Sequence, residues 1–121
     1  MIEMTFTASA VLVCVMGVGI MRQVFDFVLA WAKTEKRGGN EVMLAKQSVA
    51  DLLIKIKIRC EAARALAWKA ACAFDADPMS LGAREVCQEA KILGSESAVE
   101  SVLDGINLVG VYVLPRRSPE V

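Results

Sequence analysis

The chain has no histidine, so any chemistry must come from a short list of other side chains. Ser–His and Cys–His nucleophile systems are excluded, as is every histidine-ligated metal. Carboxylates, lysines, cysteines and a single tyrosine, Tyr112, remain. Three catalytic candidates follow: Asp26, Asp104 and Tyr112. Asp26 sits in "VFDFVL" between two phenylalanines, where burial would raise its pKa and suit it to acid–base work. Arg22, four residues earlier on the same helical face, offers the other reading, a surface ion pair. Asp104 and Tyr112 flank a short apolar segment. Arg37, just ahead of a helix N-terminus, could grip a phosphate or be a solvated turn residue. The four cysteines (Cys14, Cys60, Cys72 and Cys87) form no C-x-x-C pair, and no metal site is expected. Their apolar helical surroundings suit reduced core thiols of an intracellular, cytoplasmic protein.

The elements that must position these residues are helical. Helix one is expected from about Thr7 to Glu35, apolar nearly all round, with Arg22, Asp26 and Lys33 sharing its polar face. "RGGN" (Arg37 to Asn40) stops it, with glycine free to take the left-handed terminal conformation. Helix two runs from about Met43 to Phe74. Val49, Leu52, Leu53, Ile56, Cys60, Ala63, Ala67, Ala70 and Phe74 form its core stripe. A second stripe lies roughly opposite: Ile54, Ile58, Ala65, Trp68 and Cys72. Asp51–Lys55 and Lys57–Glu61 are spaced as i,i+4 pairs. Helix three is expected from about Pro78 to Asp104, capped by Asp77 with Pro78 at its first position. Val86, Ala90, Leu93 and Val102 should face the core, and Gly94 permits either a bend or close packing. A short apolar segment and a polar tail follow, with 115–121 expected to be flexible.

These features predict one all-α domain over 1–121, an antiparallel up-and-down bundle of three long helices plus a short C-terminal segment. The composition is 55% hydrophobic before its eight glycines are counted. An average soluble domain reaches about 45–50% with glycine included. The excess calls for burial against a partner or ligand. A homo-oligomer, most simply a dimer, would bury the second stripe of helix two. The net charge is zero and no basic stripe exists, so nucleic acid is not an expected partner. The uncharged run Ala8 to Met21 falls short of the roughly twenty residues of a membrane span and lacks a basic n-region before it. It reads as a buried helix, with no membrane partner.

Three phrases carry a resemblance: "MGVGIMRQVFDFVLAWAKTEKRGG", "KQSVADLLIKIKIRCEAARALAWKAA" and "AKILGSESAVESVLDGINLVGVYVL". From about Phe6 to Ser118 the chain resembles the C-terminal helical domain of the acyl-CoA dehydrogenase superfamily. The likeness is strongest to its nitroalkane oxidase branch, through "RGG", "QSVAD-LI" and "KIR-E--R-L-WKA". The resemblance implies a four-helix bundle that assembles into dimers or tetramers and completes a flavin site. It implies that an arginine before helix two, here Arg37, reaches the FAD pyrophosphate of a neighbouring subunit. It also implies that a glycine-rich phrase after helix three lies against the cofactor. Asn107 and Gly110 match that phrase, whereas Val109 and Val111 stand where the family has histidine and glycine.

The chain begins at this domain and stops before the segment that holds the family's catalytic carboxylate. The expectation drawn from those departures is a stand-alone domain repurposed without a cofactor. It would be a flavin-independent, redox-neutral cyclase, isomerase or pericyclase that confines an apolar small molecule. The ligand would lie in an apolar pocket lined by helix one and the Asn107–Tyr112 segment, touching Met16, Asn107, Gly110 and Tyr112. Whether the chain is an enzyme stays open at this point. One alternative is an FAD-dependent dehydrogenase or oxidase module that shares its flavin with a partner chain, with Arg37 as the cofactor contact. The other is a non-catalytic helical assembly or binding protein.

Overall fold

In the computed structural model, which describes residues 1–37 and 39–110, three long α-helices make up almost all of the structure. They are α1 (Ile2–Thr34), α2 (Gln47–Ala76) and α3 (Leu81–Val109), with a 3-10 turn at Met43–Ala45 ahead of α2. Each helix packs on the other two. The expectation of an all-α bundle of three long helices holds, with shifted boundaries. The call of a flexible tail at 115–121 lies outside the described residues.

Helix α1 begins at Ile2 and not near Thr7, which lengthens its apolar stretch. It is long and apolar enough to cross a membrane by length and composition alone. In the fold one stripe, Thr7, Ala10, Cys14, Gly17, Met21, Val28 and Ala32, is buried between the other helices. Glycine does not end it. The helix stops at Thr34, where Glu35 is already extended and donates its backbone N–H to the Trp31 carbonyl at 2.9 Å. The 35–46 link is then tied by a 2.7 Å bond from the Met43 N–H to the Glu35 carbonyl.

Along α2 the buried residues are Val49, Leu53, Ile56, Cys60, Ala63, Ala67 and Ala70, with Leu52 and Phe74 half-buried at the margin. Lys57 and Glu61 pair at 3.6 Å. Asp51 instead accepts from Gln47 Nε2 at 2.8 Å, one turn back.

Helix α3 departs most from expectation. It starts at Leu81, with Ser80 as the cap whose hydroxyl accepts from the Ala83 N–H at 3.1 Å. Asp77 takes the Met79 N–H in the preceding turn instead. The helix also runs past Asp104 to Val109, so the start of the expected C-terminal segment is helical. Its core face is built of small residues: Ala83, Cys87, Ala90, Gly94, Ala98, Ser101 and Gly105. Val86, Leu93 and Val102 are only half-buried beside that seam. Small residues are required because α1 lies against the α3 backbone. A Cβ on Gly94 would fall 2.8 Å from Cys14 Cα, and one on Gly17 would fall 2.6 Å from the Gly94 carbonyl oxygen. Gly94 therefore serves close packing.

Three cysteines lie in this core, and each thiol points at a carbonyl of another helix. Cys14 faces Ala63, Cys60 faces Val18 and Cys87 faces Ala70. Burial pushes all three thiols above their ordinary value, which keeps them protonated and unreactive at neutral pH. Cys72 differs: it is exposed on α2. Iodoacetamide at neutral pH should therefore leave Cys14, Cys60 and Cys87 unmodified in the folded protein, reach Cys72 wherever the second stripe of α2 is uncovered, and modify all four after denaturation. Peptide mass spectrometry that finds Cys14 or Cys87 alkylated as fast as Cys72 would contradict this packing.

Candidate functional site

One end of the bundle gathers the residues with the clearest capacity to hold an anion. Trp31 lies in the last turn of α1, Arg37 in the link, and Val109 and Gly110 at the end of α3. Arg37 is not a solvated turn residue. It is half-buried, its Nη2 donates to the Val109 carbonyl at 2.9 Å, and its guanidinium lies 5.2 Å from the Trp31 ring centroid. The last carbonyls of a helix have no intrahelical partner and sit at the negative end of its dipole, so a cation is stable there. Gly110 follows with φ +62°, in the left-handed region that disfavours a side chain. A Cβ at Gly110 would sit 3.5 Å from Arg37 Nη1. Lys46 adds a second cation to the link, its Nζ donating to the Arg37 carbonyl at 3.3 Å. Arg37 and Gly110, both singled out through the family resemblance, are therefore neighbours.

An apolar groove adjoins this end. Gln23, Val24, Phe27 and Val28 of α1 form one wall, and Val102, Gly105, Ile106 and Val109 of α3 the other, around about 300 Å³. Val109 belongs to both features: its side chain lines the groove and its carbonyl takes Arg37. Met16, Asn107 and Gly110 are exposed and are not among the groove's lining residues. Tyr112 lies outside the described residues.

The carboxylate candidates separate. Asp104 is half-buried and engaged by Arg59, whose Nη1 donates at 2.6 Å, while Arg59 Nε also reaches Glu100 at 3.3 Å. That network ties α2 to α3. Asp26 is exposed. Successive helical residues turn by about 100°, so Phe25 faces α2 and Phe27 faces the α3 groove. Neither covers Asp26, and the expected burial does not occur. Asp26 stands in a second, charged groove between α1 and α2, with Arg22, Lys57, Glu61 and Arg64 over Val18, Phe25 and Cys60, around 220 Å³. Arg22 and Asp26 are not among the ion pairs of the described residues. Among the described residues, no group of three or more His, Cys, Asp or Glu converges as a metal site.

Two features escaped the sequence. Trp31 reads there as a core or pocket aromatic, and Arg59 is one cation among many on α2. Asp104 is 45 residues from Arg59, and Trp31 meets Arg37 only across the turn that leaves α1. Local periodicity carries no trace of such pairs.

Three long helices in this order, with an arginine beside the end of the third, define an all-α helical domain. The family model for the acyl-CoA dehydrogenase C-terminal domain matches residues 1–120, and the chain belongs to that family. A nitroalkane oxidase from Podospora anserina is 48% identical over 115 residues, which is 94% of this chain and 27% of that protein. The solved Podospora anserina enzyme superposes with a TM-score of 0.86 at 47% identity, over 94% of this chain and 27% of its own. A further solved nitroalkane oxidase, described as a flavoprotein, gives a TM-score of 0.88 at 36% identity, over 96% and 27%. The chain thus spans about a quarter of the length of these relatives.

These likenesses correct the expected chemistry. A flavin-independent cyclase, isomerase or pericyclase with no cofactor does not stand, because the relatives are oxidases and flavin is what the family points to. Where the sequence begins and ends says nothing about the chemistry in which these helices take part. The helices are laid out as in a flavoprotein.

Proposed function

We propose that this chain is the C-terminal helical module of an FAD-dependent oxidoreductase of the nitroalkane oxidase type. In this reading it forms the phosphate-facing edge of a flavin site shared with further polypeptide. The observation that carries the reading is the convergence of Arg37 with Val109 and Gly110 at one end of the bundle. The residues there suit the group: a guanidinium presents several donors to a pyrophosphate, Lys46 supports the charge, and Gly110 leaves the backbone open to close approach. FAD, when bound, supplies the two-electron oxidation. The chain's own part is to orient the phosphate end and to wall off water with the apolar faces of α1 and α3. The groove along Phe27 and Ile106 suits the alkyl part of a substrate, and one solved relative was crystallised with 1-nitrooctane. Family members are typically oligomeric, in keeping with a site completed across chains.

A single charge-assisted contact contributes about 1.5–3 kcal/mol. The isolated chain should therefore bind FAD no more tightly than about 1 mM. Mixed with a polypeptide that supplies the remaining three-quarters of a nitroalkane oxidase, it should co-elute with the yellow flavin band, and Arg37→Ala should weaken FAD binding there by about ten- to a hundredfold. Tight FAD binding by the chain alone, or a colourless complex with the complementing polypeptide, would defeat the reading.

A further inference from the structure

We infer that Trp31 is the positioning residue for Arg37, an assignment that rests on the flavin reading above and adds a residue to it. A long arginine side chain samples many rotamers, and a ligand that engages it must freeze them. Holding the guanidinium beforehand removes that part of the cost of binding.

The seat has three parts. The Trp31 ring lies 5.2 Å from the Arg37 guanidinium, within the roughly 6 Å over which the ring's quadrupole attracts a cation. The Val109 carbonyl fixes the rotation of the planar group by taking Nη2 at 2.9 Å. Lys46 pins the backbone beneath it through the Arg37 carbonyl at 3.3 Å. The ring and the carbonyl stand on rigid elements. Trp31 is followed by the buried Ala32 and closed by the Glu35 N–H, while Val109 is buried in the last turn of α3. Nη1 is thereby brought beside Gly110 at the tip of the bundle. An indole face and a carbonyl acceptor together restrict the orientation of a flat cation more than either does alone.

The alternative is that Trp31 serves only the packing of α1 and α3. A double-mutant cycle read by FAD affinity in the complemented complex separates the two, with circular dichroism melting as a parallel readout. Trp31→Leu removes the ring face and keeps apolar bulk, so it should weaken FAD about tenfold. Trp31→Phe keeps a ring and should restore affinity to within about threefold. In an Arg37→Ala background Trp31→Leu should have no further effect on FAD, because the cation it positions is gone. If Trp31→Leu weakens FAD equally with and without Arg37, or if Trp31→Phe is as weak as Trp31→Leu, Trp31 does not act through Arg37 and the inference is overturned. If the unsubstituted complex binds no FAD, the flavin reading itself falls and this role falls with it.

Discussion

Gly94→Val is expected to unfold the protein. The Cβ alone would stand 2.8 Å from both the Cα and Sγ of Cys14, and 3.1 Å from its Cβ. One of those neighbours is backbone, so no rotamer change relieves the clash. On the other side Gly17 has no room either, since its own Cβ would meet the Gly94 carbonyl at 2.6 Å. The two helices touch through their backbones at this crossing, and any side chain must drive them apart. Overfilling a packed site by a methyl group costs about 1–3 kcal/mol. Valine adds three carbons where none fits. Separation here would also loosen Cys14, Met21 and Ala98, all buried around the crossing. Gly94→Ala should melt on the order of 10 °C lower, and Gly94→Val should give no cooperative transition. Gly19, two residues along α1 from Gly17, has nothing within 4 Å of its would-be Cβ. Gly19→Ala should therefore stabilise by about 0.5–1 kcal/mol through helix propensity. Thermal melts of the three variants test the crossing, and a Gly94→Val protein that melts like the unsubstituted chain would refute it.

The same crossing explains why part of the fold was legible and part was not. Helix α2 writes its core in residues of visible size, Val49, Leu53 and Ile56, so period alone finds the buried face. From Ala83 to Gly105 helix α3 writes its core in alanine, serine, cysteine and glycine, with larger residues on the flanks, and only Leu108 and Val109 at its end are large and buried. A search for large apolar residues at helical spacing then selects Val86, Leu93 and Val102, one step round the cylinder from the true seam. The reason lies in the crossing with α1, where Cys14 and Gly17 approach the α3 backbone so closely that no side chain fits at Gly94. The candidate site was legible in the same uneven way. Arg37 and Gly110 could be singled out because a phrase of sequence surrounds each. Trp31 could not, because its role exists only where the end of α1 meets the link. Asp104 reads as a catalytic candidate for want of its partner, Arg59, which reaches it from another helix.

Ile58→Lys is expected to disrupt self-association, and the exposed surface says why. Ile54, Ile58 and Trp68 on α2 are 56%, 60% and 76% exposed, with Ala65 and Cys72 exposed in line with them. With Glu61 between, the line advances by alternating steps of four and three residues, the spacing at which one helix meets another over several turns. This stripe lies opposite the buried face of α2, so the chain's own core cannot cover it. Burying several hundred Å² of such surface at about 25 cal/mol per Å² contributes several kcal/mol, which must exceed the cost of association. A second apolar surface competes for the partner: Phe6, Val13, Ile20 and Phe27 of α1, beside Ile92, Val99 and Ile106 of α3. Part of that face, along Phe27 and Ile106, is the groove suited to the alkyl part of a substrate, whereas the α2 stripe is suited to a separate copy. The two roles give different outcomes. Light scattering of the chain at micromolar concentration should show an oligomer that Ile58→Lys and Trp68→Glu each dissociate, while Val99→Lys leaves its mass unchanged. An unsubstituted chain that is monomeric under those conditions would refute the assignment, and dissociation by Val99→Lys alone would move the interface to the α1–α3 groove.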